Sequence, residues 1–122
     1  MKIYLNKTFF KEKESKFLEN SGLSAYVYKY DTGIEAIRLE NKLGHIIVLP
    51  YQGQVIWDAV FYDRSLKMTT PFSIPQNSHI FGETYGCYLM HCGMTSMGVP
   101  KDTDTHPVHG HLPFASMKES HI

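Results

Sequence analysis

Hydrophobic and polar side chains alternate over much of the first half of the chain, as they do in β-strands with one buried face. A tyrosine occupies every second position from residue 26 to residue 30, and residues 45–49 are apolar on both faces. Turn signals separate these segments, with Asp-Thr-Gly at 31–33 and Asn-Lys-Leu-Gly at 41–44. The pattern predicts six strands, at residues 24–30, 34–40, 45–49, 54–62, 66–68 and 86–91.

Short turns between successive strands indicate hairpins, and hairpins indicate an antiparallel sheet. We therefore predict an all-β, mostly antiparallel fold. No linker or repeat divides the sequence, so we predict a single domain over residues 1–122. The only predicted helix covers residues 8–20, and residues 70–85, with Pro71 and Pro75, are predicted to form a long loop with at most a short helix.

The balance of charges argues against two classes of partner. Twelve basic and twelve acidic side chains cancel, in a chain with 43% hydrophobic and 20% charged residues. Nucleic-acid binders and membrane-surface binders usually carry clustered Lys and Arg, so we predict neither nucleic acid nor membrane as a partner. The first residues are charged too early for a secretory signal, and no apolar run reaches the ~18 residues of a membrane span. We therefore expect a cytoplasmic protein.

The two cysteines are predicted to be free and buried. Cys87 and Cys92 are five positions apart, so on a strand their side chains would point to opposite faces and a disulfide would not form. In a reducing compartment such cysteines usually behave as small apolar residues.

Three histidines within six positions are the strongest chemical signal in the sequence. His106, His109 and His111 are crowded, and each can donate or accept a proton near neutral pH. His109 precedes Gly110, whose missing side chain lets backbone or ligand approach closely. The spacing also permits metal binding, but the paired CxxC or HxxxH spacings of structural zinc sites are absent from the sequence. We predict no metal and no other cofactor.

Two segments resemble a known family. Cys92-Gly93-Met94, with Gly98 and residues 106–113, is similar to the CGL...G...LHGR...P segment of aldose 1-epimerase-like proteins of the galactose-mutarotase-like superfamily. Upstream, residues 48–59 resemble the strand-turn-strand PxxGxxIxDA segment of the same proteins. The two matches occur in the family's order.

The resemblance covers roughly residues 24–115 and is strongest to a poorly characterised branch of the superfamily. His111 and Gln52 stand where that branch commonly has Arg. His109 matches the family histidine that hydrogen-bonds the sugar near its ring oxygen, which makes it the predicted catalytic and substrate-binding residue.

The resemblance also implies a β-sandwich and mutarotase chemistry, in which a base takes the proton of the C1 hydroxyl while an acid protonates the ring oxygen. The family's own acid and base lie further downstream than this sequence extends. We therefore expect the chain to form the N-terminal, incomplete part of a galactose-mutarotase-like sandwich. Open strand edges invite pairing, so we expect a second copy or a complementing chain as a partner, besides a small-molecule carbohydrate.

Four further residues are candidates for substrate contact. His111 replaces the family Arg, Trp57 offers a flat apolar surface, Asp58 can accept hydrogen bonds from hydroxyls, and His106 flanks the cluster. Each also has an ordinary interpretation, as a core Trp, a turn-stabilising Asp, or a loop or strand-end His. The predicted function is carbohydrate binding associated with aldose 1-epimerase-type isomerisation. The alternatives are a non-catalytic sugar-binding or assembly module, and a small metal-dependent sugar isomerase that uses His106, His109 and His111.

Overall fold

The computed structural model describes residues 2–122, whose strands form one antiparallel sheet in chain order. The strands are β1 (Ser15–Asn20), β2 (Leu23–Lys29), β3 (Glu35–Asn41), β4 (Gly44–Val48), β5 (Ile56–Phe61) and β6 (Arg64–Ser65). Helical structure within these residues is confined to a 3₁₀ turn at Lys7–Phe9, the short helix α1 (Phe81–Thr84) and a 3₁₀ turn at Leu112–Phe114. The predicted all-β, antiparallel class is confirmed.

The alternation of side chains decides what each face of the sheet carries. One face, called here the inner face, aligns apolar residues across β2, β3 and β4, namely Val27, Ile37 and Val48. The opposite, outer face aligns their neighbours in the same strands, namely Tyr26, Arg38 and Ile47. The period-2 pattern in the sequence thus corresponds to two chemically different faces.

The inner face is covered by both ends of the described chain. Its buried cluster consists of Leu5, Phe10, Ala25, Val27, Ile37 and Tyr51. Phe10 is 2% exposed and packs edge-on against Tyr51, with ring centroids 6.0 Å apart. The Tyr51 hydroxyl donates to the carbonyl of Leu5 at 2.6 Å, which fastens the N-terminal segment to the sheet.

Beside this cluster the inner face forms an open apolar trough of about 500 Å³. Most of its apolar lining comes from Leu18, Leu23, Ala25, Leu39, Ile46, Phe61 and Ile122. The association with a second copy or a complementing chain that is expected from open strand edges stays a prediction.

The outer face is covered by irregular chain that follows β6. The buried cluster there consists of Ile34, Ala36, Leu49, Val55, Trp57 and Cys87. The covering segment meets the edge of β5 at a bridge in which Ile56 and Leu89 exchange two backbone hydrogen bonds of 3.0 Å, and the N–H of Tyr88 donates to the carbonyl of Trp57 at 3.2 Å. Within residues 2–122 no helix has the length and apolarity that crossing a membrane would require.

The helix predicted at residues 8–20 is wrong. The chain makes one 3₁₀ turn at Lys7–Phe9, buries Phe10 and then enters the edge strand β1. An isolated helix needs an apolar face to pack against the protein, and the charged run after Phe10 offers none. Pairing with β2 supplies the backbone hydrogen bonds instead.

Two strand predictions also need correction. The strand predicted at 66–68 lies earlier, at Arg64–Ser65, because Tyr62 and Asp63 both have positive φ and close a two-residue hairpin turn. The strand predicted at 86–91 is reduced to the bridge at Leu89, since the preceding chain approaches β5 through Gly86 in a left-handed conformation.

The remaining predictions of elements agree with the structure. The segments 24–30, 34–40, 45–49 and 54–62 correspond to β2, β3, β4 and β5, and the predicted loop 70–85 contains one short helix, α1. Both cysteines are free, as predicted, but only Cys87 is buried; the prediction of a buried Cys92 is wrong, because it lies exposed in irregular chain.

Replacing Phe10 with Ala should lower the free energy of unfolding by about 3–5 kcal/mol, because it removes a fully buried ring and leaves a cavity against Tyr51. The neighbouring Phe9, 42% exposed, is the matched control, and Phe9→Ala should cost less than about 1 kcal/mol. Urea unfolding followed by circular dichroism measures both. Equal losses would show that Phe10 does not anchor the N-terminal segment.

Candidate functional site

His109 lies where two backbone segments cross. Its N–H donates to the carbonyl of Gly98 at 2.8 Å, and its own carbonyl accepts from the N–H of Gly93 at 2.9 Å. Its φ of 63° is left-handed, and its half-buried ring packs at a tilt against the Phe81 ring of α1, with centroids 4.5 Å apart. The residue therefore both closes a loop and supports α1.

Gly110 makes this crossing possible. It is buried, has a φ of 86°, and forms a parallel bridge with Gly93. A side chain at this position would overlap with the carbonyl oxygens of Gly93 and Ser96. Gly110 thus has a direct structural role, because it lets two segments of irregular chain pack closely.

The other two histidines of the cluster point elsewhere. His106 is largely buried in its own loop, with Nδ1 2.9 Å from the carbonyl oxygen of Pro107 and Nε2 3.6 Å from a carboxylate oxygen of Asp104. His111 is exposed, and its Nδ1 lies 3.3 Å from the Thr95 hydroxyl. Among residues 2–122 no group of three His, Cys, Asp or Glu side chains is arranged to hold a metal ion. The three-histidine metal site considered from the sequence therefore has no geometric support.

Trp57 is a core residue in this structure. It is 3% exposed and belongs to the outer-face cluster. The Lys67 ammonium sits 3.9 Å from the ring centroid and occupies a face that a sugar would need. Burial disfavours the charged form of a side chain. It therefore lowers the pKa of the Lys67 ammonium and raises the pKa of the Cys87 thiol, which belongs to the same cluster as Trp57.

Asp58 is half-buried and is engaged by the backbone. One carboxylate oxygen accepts the N–H of Ala59 at 2.8 Å. Near it lie Tyr28 and Tyr30, whose hydroxyls hydrogen-bond to each other at 2.9 Å and whose pKa values are raised, mainly by burial. Asp58 shares neither a cavity nor a hydrogen bond with the three histidines.

A polar cleft of about 260 Å³ lies near the start of β3, whereas the apolar trough lies near the end of that strand. It is bordered by the 3₁₀ turn at Lys7–Phe9, the start of β3, the turn after β4 and the C-terminal segment. Its lining residues are Lys7, Gly33, Ile34, Glu35, Tyr51, Gln52, Asn77, Ser78, His79, Phe114 and Ser116. None of the five site residues predicted from the sequence is among them.

One wall of the cleft forms because the turn after β4 meets the C-terminal segment at very short range. The N–H of Gly53 donates to the carbonyl of Ala115 at 2.7 Å, and Gln52 forms a bridge with Ser116. A β-carbon on Gly53 would stand 2.6 Å from the carbonyl oxygen of Pro113. Any other residue would clash here, and Gly53 also has a left-handed φ of 57°, which glycine adopts without strain.

The opposite wall is a loop tied to the sheet by two side-chain hydrogen bonds. The Gln52 amide donates to the carbonyl of Gln76 at 3.2 Å, and the Thr32 hydroxyl donates to the carbonyl of Pro75 at 2.9 Å. These bonds bring residues 77–79 over the start of β3, so that His79 lines the same cavity as Glu35.

The cleft places opposite charges beside aromatic rings. The Lys7 ammonium lies 3.9 Å from a carboxylate oxygen of Glu35 and 4.7 Å from the centroid of the Tyr51 ring. Burial raises the pKa of Tyr51, and the nearby Glu35 carboxylate adds to this rise. The His79 ring packs 6.3 Å from that of Phe114. The result is a small cavity with hydrogen-bond donors, acceptors and two groups suited to proton transfer.

Replacing Gly110 with Ala should lower the free energy of unfolding by at least about 3 kcal/mol, because left-handed strain and steric overlap act together. Gly98 is the matched control. It has a similar φ of 88° but no heavy atom within 4 Å of an added β-carbon, so Gly98→Ala should cost about 1–2 kcal/mol from strain alone. Thermal unfolding of the two variants compares them, and equal costs would contradict the tight crossing.

Sequence reasoning missed Lys7, Glu35 and His79. Each is separated from the others by dozens of residues and resembles an ordinary surface side chain when read along the chain. Gln52 is the one residue singled out from the sequence that does line the cleft. Neither a protein-family model nor a curated protein nor a solved structure matches this chain.

Proposed function

We propose that the protein binds a monosaccharide in the polar cleft and that this binding serves aldose 1-epimerase-type isomerisation. The observation that carries the proposal is the convergence of Glu35, His79 and Gln52 on one cavity whose walls include Tyr51 and Phe114. The resemblance of residues 48–59 and 92–113 to aldose 1-epimerase-like proteins supports it from the sequence side.

The composition of the cleft suits a sugar. Hydroxyl groups need both donors and acceptors, which the carboxylate of Glu35 and the amides of Gln52 and Asn77 supply. The rings of Tyr51 and Phe114 also line the cleft, but both are largely buried and the Lys7 ammonium lies 4.7 Å from the Tyr51 centroid, so the hydrogen-bonding groups carry the argument for a sugar. Small-molecule pockets usually have volumes of about 300–1,000 Å³, so a cleft of about 260 Å³ suits one sugar ring better than a chain of them.

The isomerisation step requires two proton-transferring groups. The base takes the proton of the C1 hydroxyl, the bond from C1 to the ring oxygen breaks, and the acid protonates that oxygen. The aldehyde then rotates, and the reverse transfers close the ring on the other face. We assign the base to Glu35 and the acid to His79, because both side chains line the cavity and imidazole readily holds or releases a proton.

His109 has a supporting role in this proposal. Its ring packs against that of Phe81, two residues after His79, and so supports the loop that carries the acid. Gln52 acts as a hydrogen-bonding residue in place of the family Arg, and its amide also holds the loop through the carbonyl of Gln76.

Glu35→Gln and His79→Gln should each reduce the acceleration of anomer exchange about 100-fold, because each removes one proton-transfer group while keeping the side chain's size. NMR saturation transfer between the α and β anomeric protons of several aldoses measures the exchange. Sugar-induced shifts of backbone amides should persist in both variants.

Glu119→Gln and His121→Gln are the control variants, since both residues are exposed and lie outside the cleft. Exchange that survives in both cleft variants would overturn the assignment of acid and base. Sugar binding by the wild type without any accelerated exchange would instead favour the non-catalytic sugar-binding module.

A further inference from the structure

A second, lysine-rich groove adjoins the polar cleft. It has a volume of about 620 Å³ and is lined by Lys7, Thr8, Phe10, Lys11, Glu12, Lys13, Lys29 and Glu35. Lys7 and Glu35 line the cleft as well, so they form the border between the two cavities. The cleft and the groove are therefore adjacent, on either side of this ion pair.

The backbone that presents the lysines is held in place. The 3₁₀ turn that contains Lys7 is capped by the Asn6 side chain, which accepts the N–H of Thr8 at 2.9 Å. Burial of Phe10 then fixes the next residues against the sheet. Lys11 is tied directly to β2, because its carbonyl accepts the N–H of Lys29 at 2.7 Å.

The groove concentrates positive charge in a chain with no net charge. Its lining holds four ammonium groups and two carboxylates, which leaves an excess of two positive charges, whereas the whole sequence has twelve basic and twelve acidic residues. Glu35 is the register partner of Lys29 and lies 3.9 Å from the Lys7 ammonium, so lysines flank it. Glu12 is the other carboxylate of the groove.

We propose that the ligand is a sugar phosphate whose ring occupies the cleft and whose phosphate occupies the groove. This inference rests on the proposed function, because it needs the ring to bind in the cleft. A phosphate monoester carries close to two negative charges at neutral pH, which matches the excess charge of the groove. Lysine binds phosphate as a mobile point charge, and Lys11, Lys13 and Lys29 line the groove outside the cleft.

NMR titrations with glucose, glucose 6-phosphate and inorganic phosphate test this inference. At low salt the wild type should bind glucose 6-phosphate about tenfold more tightly than glucose, because several partly exposed ammonium groups each contribute modestly. In a triple variant with Lys11→Gln, Lys13→Gln and Lys29→Gln, the ratio of the two affinities should fall towards one. The ratio should also shrink at high salt, since exposed charges are screened.

A second triple variant, with Lys42→Gln, Lys101→Gln and Lys118→Gln, removes the same number of charges from exposed positions outside the groove. It should keep the wild-type ratio. Equal ratios in the two triple variants would overturn the groove as the phosphate site.

The remaining outcomes separate this inference from the proposed function. Glucose binding with no gain for glucose 6-phosphate would overturn the inference and leave the sugar cleft standing. No binding of either sugar by folded protein would overturn both. Inorganic phosphate binding as tightly as glucose 6-phosphate would indicate an independent anion site and would overturn the sugar-phosphate assignment.

Discussion

The contact between the turn after β4 and the C-terminal segment is the constraint on which the rest of the site depends. Gly53 approaches the backbone of Pro113 and Ala115 so closely that a β-carbon would not fit. The preceding residue, Gln52, donates to the carbonyl of Gln76 and so holds the loop that carries His79. The carbonyl of Tyr51 accepts the N–H of Met117 at 3.0 Å. A single tight turn thus joins the sheet, the loop and the end of the described chain around one cavity.

A second close crossing joins Gly93 and Gly110. Both glycines have left-handed φ angles, and Gly110 has no room for a side chain. His109 is positioned by hydrogen bonds on both sides of this crossing, and its ring is turned towards Phe81. His109 and Gly110 therefore pack together at this crossing, and through Phe81 they support α1 and the loop before it.

The electrostatic character of the molecule is local rather than global. Charges cancel over the whole sequence, yet lysines gather around one groove while Glu35 and His79 share the adjoining cleft. The aromatic walls of the cleft belong to the same core that buries Phe10, because Tyr51 takes part in both. Packing of the inner face and the chemistry of the cleft are thus coupled through one residue.

The sequence by itself determined the fold class and the central strands. Alternating tyrosines before Asp31, and the turn signals around Gly33 and Gly44, are local patterns, so β2 to β5 could be predicted from neighbouring residues alone. The edge strand β1 could not, because its apolar content is weak and its stability comes from pairing with β2.

Only the tertiary structure decided which polar residues come together. Lys7, Glu35 and His79 meet through turns and loops whose hydrogen bonds connect distant segments, and no spacing along the chain encodes such a meeting. The three histidines show the reverse. His106, His109 and His111 are close in sequence, but their rings have separate contacts, with the Pro107 carbonyl, the Phe81 ring and the Thr95 hydroxyl respectively. Proximity in sequence constrains the backbone, whereas a site requires convergence of side chains, and that depends on long-range packing.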